Sequence, residues 1–142
     1  MWNIFYLSQL MKVKTIIFLF GILFCNIFYA QQYSGEELKE IELHNATILN
    51  SSSKDTSLAK AYLGLSEILY VANIDTLIPL CNRTIDVSKK NLAKKSLSAK
   101  EKKLFLGTLS DALNNIGYVY KSKGEIELAL KYYNDRLLFT NK

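Results

Sequence analysis

An all-α fold is what this 142-residue sequence predicts, on three observations. Apolar residues recur three and four apart in five successive segments, the spacing that gathers them on one face of a helix. No segment alternates apolar and polar residues convincingly enough for a half-buried strand. With 6 Gly and 1 Pro, the chain also lacks the turns that a sandwich or barrel demands. The length bounds it at one small domain and excludes a large two-domain enzyme. Apolar residues make up 49% of the chain, but 22 of them fall in the first 30 positions. The expected layout is therefore an apolar leader followed by a helical globular part.

The leader runs VKTIIFLFGILFCNIFYA from Val13 to Ala30, with Lys12 and Lys14 at its start and Gln31 and Gln32 after it. A basic segment, an apolar stretch of about 13 to 15 residues and a small final residue form an export signal cut before Gln31. Phe28 is bulkier than a cleavage site prefers, and roughly 18 apolar residues reach the lower limit for a bilayer span, so an uncleaved anchor is the alternative. Under either reading, residues 31–142 lie outside the cytoplasm, in the periplasm or on the outer face of the inner membrane. Membrane contact is then expected only through an uncleaved leader. The large Phe24 before Cys25 argues against a lipoprotein signal, and Met11 can serve as the start, since the ten residues before it add nothing a signal needs.

Within 31–54, Ser34 to Glu37 reads S-G-E-E, a capping box that opens a first helix. Leu38, Ile41, Asn45, Ile48 and Leu49 share one face of it, as far as about Asn50. The tract Asn50 to Lys54 is a loop. Asp55 is expected to cap a second helix with the stripe Leu58, Ala61, Tyr62, Leu65, Ile68 and Leu69, ending near Asn73. Asp75 is expected to cap a third, which places Pro79 in the first turn, where a missing N–H costs nothing. This helix continues through Leu80, Thr84, Ile85 and Val87 into a lysine-rich end. Ser98 to Glu101, S-A-K-E, is a second capping box that opens the longest helix, on Phe105, Leu109, Ala112, Leu113, Ile116 and Tyr120. Gly124 supplies its left-handed stop. A fifth helix spans Ile126 to about Phe139 on Ala129, Leu130, Tyr133 and Leu137.

The last third of the chain, ALNNIGYVYKSKGEIELALKYY, carries a spaced set of residues: Leu113, Ile116, Gly117 and Tyr120, then Gly124, Ala129 and Tyr133. In spacing and residue type this set resembles the tetratricopeptide repeat, with twelve residues from Gly117 to Ala129 and four more to Tyr133. Leu113 stands for the usual Trp, Arg136 for a small Ala, and Asn141 for the closing Pro. A degenerate earlier copy runs through Leu63, Gly64 and Ile74 to Ile85. The resemblance implies helical-hairpin repeats, a solenoid fragment of about five helices. It divides the chain into a leader (1–30), a pre-repeat helix and loop (31–54), a degenerate pair (55–97) and a clearer pair (98–142). The whole arrangement resembles the extracytoplasmic input region of bacterial sensor histidine kinases and related repeat-bearing regulators. The chain would then be the truncated sensory front of a two-component signalling protein, with further repeats and a kinase to follow.

The resemblance also implies a peptide-binding groove lined by the first helix of each pair, here at Asp111, Asn114, Asn115, Tyr118 and Lys121. An aromatic with a polar tip and two carboxamides suit an extended peptide backbone. An array of about two repeats leaves an apolar end face around Leu130, Leu137, Leu138 and Phe139. The alternative function is accordingly a self-standing exported adaptor that dimerises through its last helix.

Chemistry finds little support in the sequence. His44 is the only histidine, and no Cys or carboxylate cluster accompanies it, so neither a metal site nor a catalytic triad is expected. Glu36, Glu37, Glu40 and Glu42 suit the start of a helix dipole better than paired catalytic work. No Gly-rich phosphate loop is present, and no cofactor is expected. Cys81, the one cysteine beyond the leader, sits among Leu77, Ile78 and Leu80 as a core residue. The lysines from Lys89 to Lys103 read as solvated helix ends; nucleic acid would need aromatic or base-reading neighbours and a cytoplasmic address, so it is not an expected partner. The reading is a non-enzymatic protein that binds protein or peptide.

Overall fold

The computed structural model describes residues 33–50 and 52–140, so the leader lies outside the described residues. The chain clusters into two units, 1–36 and 37–142, and nearly all of the first falls outside that range. Among the described residues the structure is all-helical. The order is α1 (Gly35–Leu49), α2 (Asp55–Leu69), a 3-10 turn (Ile74–Thr76), α3 (Leu77–Leu92), α4 (Ala99–Ser122) and α5 (Ile126–Thr140).

Several ends follow from local chemistry. At the start of α4 the Glu101 backbone N–H donates to Ser98 Oγ, while the Ser98 backbone N–H donates to Glu101 Oε2, closing the box the sequence predicts. Gly124 has φ +78°, the left-handed turn that lets the chain reverse into α5. Pro79 is the third residue of α3 and so falls in its first turn.

Two expected caps are different in the structure. Lys54, not Asp55, is the N-cap of α2, and the Asp55 carboxylate instead accepts from Lys94 Nζ at 3.2 Å, beyond the end of α3. Asn73 takes the role expected of Asp75: its side chain accepts from the Asp75 N–H, and Asp75 pairs with Lys123 at 2.6 Å. In both places a cross-helix lysine captures the carboxylate that the local pattern assigned to a cap.

Residue pairs fix how the helices run. Ser66 with Cys81 ties the end of α2 to the start of α3, and Asp55 with Lys94 ties the start of α2 to the far end of α3, so the two helices are antiparallel. The pairs Tyr120 with Tyr132, Gly117 with Tyr133, and Asn114 with Arg136 do the same for α4 and α5. Helices α2 and α4, by contrast, lie parallel. Glu67 meets Asn115 and Tyr70 meets Tyr118, each pair separated by 48 residues. Asp75 and Lys123 continue that register at the same separation.

The core is Leu63, Leu77, Cys81, Ile85, Leu109, Ala112, Leu113, Ile116 and Val119, drawn from α2, α3 and α4. Small polar residues join it: Ser88 Oγ lies 3.0 Å from Thr108 Oγ1, and Ser66 Oγ donates to the Leu63 carbonyl. Both hydroxyl pairs are fully satisfied, which removes the penalty for burying them. Helix α1 buries no residue.

Candidate functional site

A cleft of about 380 Å³ opens where α2 and α4 lie side by side. The 48-residue register builds it from below. Helical spacing puts Glu67 on α2 three residues before Tyr70, the cap of its C-terminal end, and Asn115 and Tyr118 three apart on α4, so two matched rows face each other. Asn115 Nδ2 donates to Glu67 Oε1 at 3.2 Å, and the rings of Tyr70 and Tyr118 meet edge to face with centroids 6.3 Å apart. Both rings line the cleft.

The floor comes from α5 and the start of α3. Tyr133 and Leu77 line it, together with Asn114. Gly117 carries Tyr133: a Cβ built on that glycine would lie 2.7 Å from Tyr133 Cε1. The absent side chain therefore seats the ring. Arg136 Nη1 donates to Asn114 Oδ1 at 3.0 Å, and Arg136 Nε reaches Ser110 Oγ at 3.4 Å. With its oxygen so engaged, the Asn114 amide is turned to present its N–H group.

Of the five residues expected to face a groove, the structure brings Asn114, Asn115 and Tyr118 together in this cleft. Asp111 lies instead on a second, larger groove between α4 and α5, and Lys121 is exposed near the end of α4. The expected packing set is seated as follows. Leu113, Ile116, Gly117 and Ala129 are buried, and Tyr120 stacks on Tyr132 at 5.4 Å. Tyr133 serves both sets, as the ring over Gly117 and as cleft floor.

Glu67 and Tyr70 were not anticipated. Their signal was present as a polar and an aromatic residue three apart at the end of the first helix of the earlier pair. It is visible only once the 48-residue register is known, because the expected repeat alignment pairs Gly64 with Gly117, 53 residues apart.

The remaining reactive groups lie elsewhere. Cys81 is fully buried, its thiol near Ser66 Oγ at 3.5 Å, and burial pushes its pKa up to about 11, so it is held as the unreactive thiol. His44 lies against Gly64, where a Cβ would be 2.5 Å from its Nε2. Among the described residues no group of three or more His, Cys, Asp or Glu is placed to hold a metal ion. The cleft gathers the hydrogen-bonded Glu67 and Asn115 beside the rings of Tyr70 and Tyr118. No protein-family model matches the chain, and no match is found among curated proteins or solved structures.

Proposed function

We propose that this chain is a tetratricopeptide-type binding module that takes an extended peptide segment across the cleft between α2 and α4. In this reading it works outside the cytoplasm behind its export leader, without catalysis, as the input region of a membrane two-component signalling protein. The observation that carries the reading is the parallel register of α2 and α4. The first helices of two successive hairpins lie side by side, which is how stacked helical repeats build a ligand face. Glu67, Asn115, Tyr70 and Tyr118 mark that face with groups suited to a peptide backbone and its side chains.

The test is selection of binders from a random-peptide display library against the full chain in mild detergent. Binding of the enriched peptides is expected to fall at least about tenfold in Tyr118→Ala, the loss typical of an aromatic anchor, with unchanged far-UV circular dichroism. Unchanged binding overturns the cleft as the site.

A second reading is favoured by the outer side of α5, where Leu130 and Leu138 are more than half exposed. It makes the chain a self-standing exported adaptor that associates with its own kind through that last helix.

A further inference from the structure

Beyond Gly35 at the first position of α1, three glycines lie inside helices, and two of them are seats. Gly64 is occupied by the His44 ring from α1, and Gly117 by the Tyr133 ring from α5. Gly107, in the middle of α4, has nothing within 4 Å of where its Cβ would be. A mid-helix glycine lowers helix stability by about 1 kcal/mol relative to Ala, so an empty one is a cost without a visible return. It sits on the larger groove, about 670 Å³, between α4 and α5.

The groove is shaped for a helix. Its α4 wall is Ala99, Lys102, Leu106, Gly107 and Ser110, a stripe at helical spacing that spans about 17 Å. Small residues along it allow close approach of another backbone. The rim carries Lys102, Lys103 and Arg136 against the single acid Asp111. A second copy of the same basic groove would repel it, so a face-to-face, isologous pairing is disfavoured.

The complementary surface is on the same chain, at the other end of the helix order. Helix α1 buries no residue and exposes Leu43 at 64% and Leu49 at 84%. Its sequence, GEELKEIELHNATIL, holds four Glu and one Lys, the opposite sign to the groove rim. Fifteen residues of helix are about 22 Å long, enough to cover the α4 wall.

We propose that α1 of one copy docks into the α4–α5 groove of the next, giving a head-to-tail assembly of this chain. This deepens the self-association reading and replaces its interface: the groove beside Gly107, and not the outer side of the last helix, receives the partner. Leu43 of α1 enters the apolar floor around Leu106 and Gly107, and Glu40, on the same side of α1, meets Lys102 and Lys103. Because donor and acceptor surfaces differ, the contact is heterologous and propagates.

The experiment is sedimentation velocity of the full chain in mild detergent, over a range of protein concentrations. Wild type is expected to form species larger than the dimer, and more of them at low salt. Gly107→Trp fills the groove and Leu43→Glu spoils α1, so each variant alone is expected to sediment as a monomer. An equimolar mixture of the two is expected to form a dimer and nothing larger, since each supplies the surface the other lacks. Circular dichroism of each variant checks that the helices persist, and Lys103→Glu, an exposed substitution, is the second groove variant should Gly107→Trp unfold. Association that survives both groove variants but is lost in Leu130→Glu overturns the proposal and leaves the last-helix reading standing. A wild-type monomer at every concentration overturns both.

Discussion

At the scale of single residues, the molecule turns on where a side chain is missing. Gly117 and Gly107 lie on the same helix, yet a methyl group added at each meets opposite surroundings. At Gly117 the new Cβ would be 2.7 Å from Tyr133 Cε1 and 2.8 Å from its Cδ1, so the half-buried ring must move. Displacing it costs about 1–3 kcal/mol, against roughly 1 kcal/mol gained in helix propensity. Gly117→Ala is therefore expected to destabilise by about 1 kcal/mol, while Gly107→Ala, entering open space, stabilises by roughly 0.5–1 kcal/mol. Urea unfolding of both variants at low protein concentration measures the contrast; equal shifts would mean that Tyr133 does not rest on Gly117. The sequence pointed to Gly117 as a close-packing position only through its resemblance to the tetratricopeptide spacing. It gave no such pointer for Gly107 or for Ser66 and Ser88. Small residues carry no hydropathy signal, and their burial depends on which neighbour arrives.

At the scale of elements, the five helices were legible because their apolar spacing and stop residues agree. The α4 boundaries show this best, with a capping box at one end and Gly124 at the other. The α2 stripe was less legible: Ala59, Leu63 and Ser66 are buried in addition to Ala61, Leu65 and Ile68. Helix α2 is packed by both α3 and α4, so more than one face is covered, and a single-stripe reading cannot supply the second. The caps of α2 and the 3-10 turn were misplaced for a related reason, since Lys94 and Lys123 come from other elements. The α4 box offers the prediction at this scale. Hydrogen bonds from the Ser98 hydroxyl and backbone N–H hold the Glu101 carboxyl below its ordinary 4.5. A depressed carboxylate pKa contributes stability that is present above the ordinary value and lost as pH falls through the folded one. Ser98→Ala is expected to lower the thermal midpoint by several degrees at pH 7, roughly 4–8 °C for a domain of this size. The difference from wild type should shrink as the pH falls below 4.5. A difference that does not change with pH would show that Glu101 takes no part in the cap.

At the scale of the whole molecule, stability is graded along the chain. The core is built from α2, α3 and α4, α5 adds the buried Ala129 and several half-buried rings, and α1 adds no buried residue. Local opening follows buried contacts, so native-state hydrogen exchange is expected to release α1 amides well before those of Leu109 to Val119. Gly64→Ala sharpens the test. Its methyl group would sit 2.5 Å from His44 Nε2 and push α1 away, while the ties of α4 to α5 involve neither residue. Exchange in α1 should then accelerate with little change in α4. The same measurement bears on assembly. If α1 is the end that enters a neighbour's groove, its protection rises with protein concentration in wild type and stays low in Gly107→Trp, whose free α1 has no open groove to enter. Protection of α1 equal to that of α4 in dilute wild-type protein would show instead that α1 is held within its own chain, and the gradient argued from its lack of burial would fail.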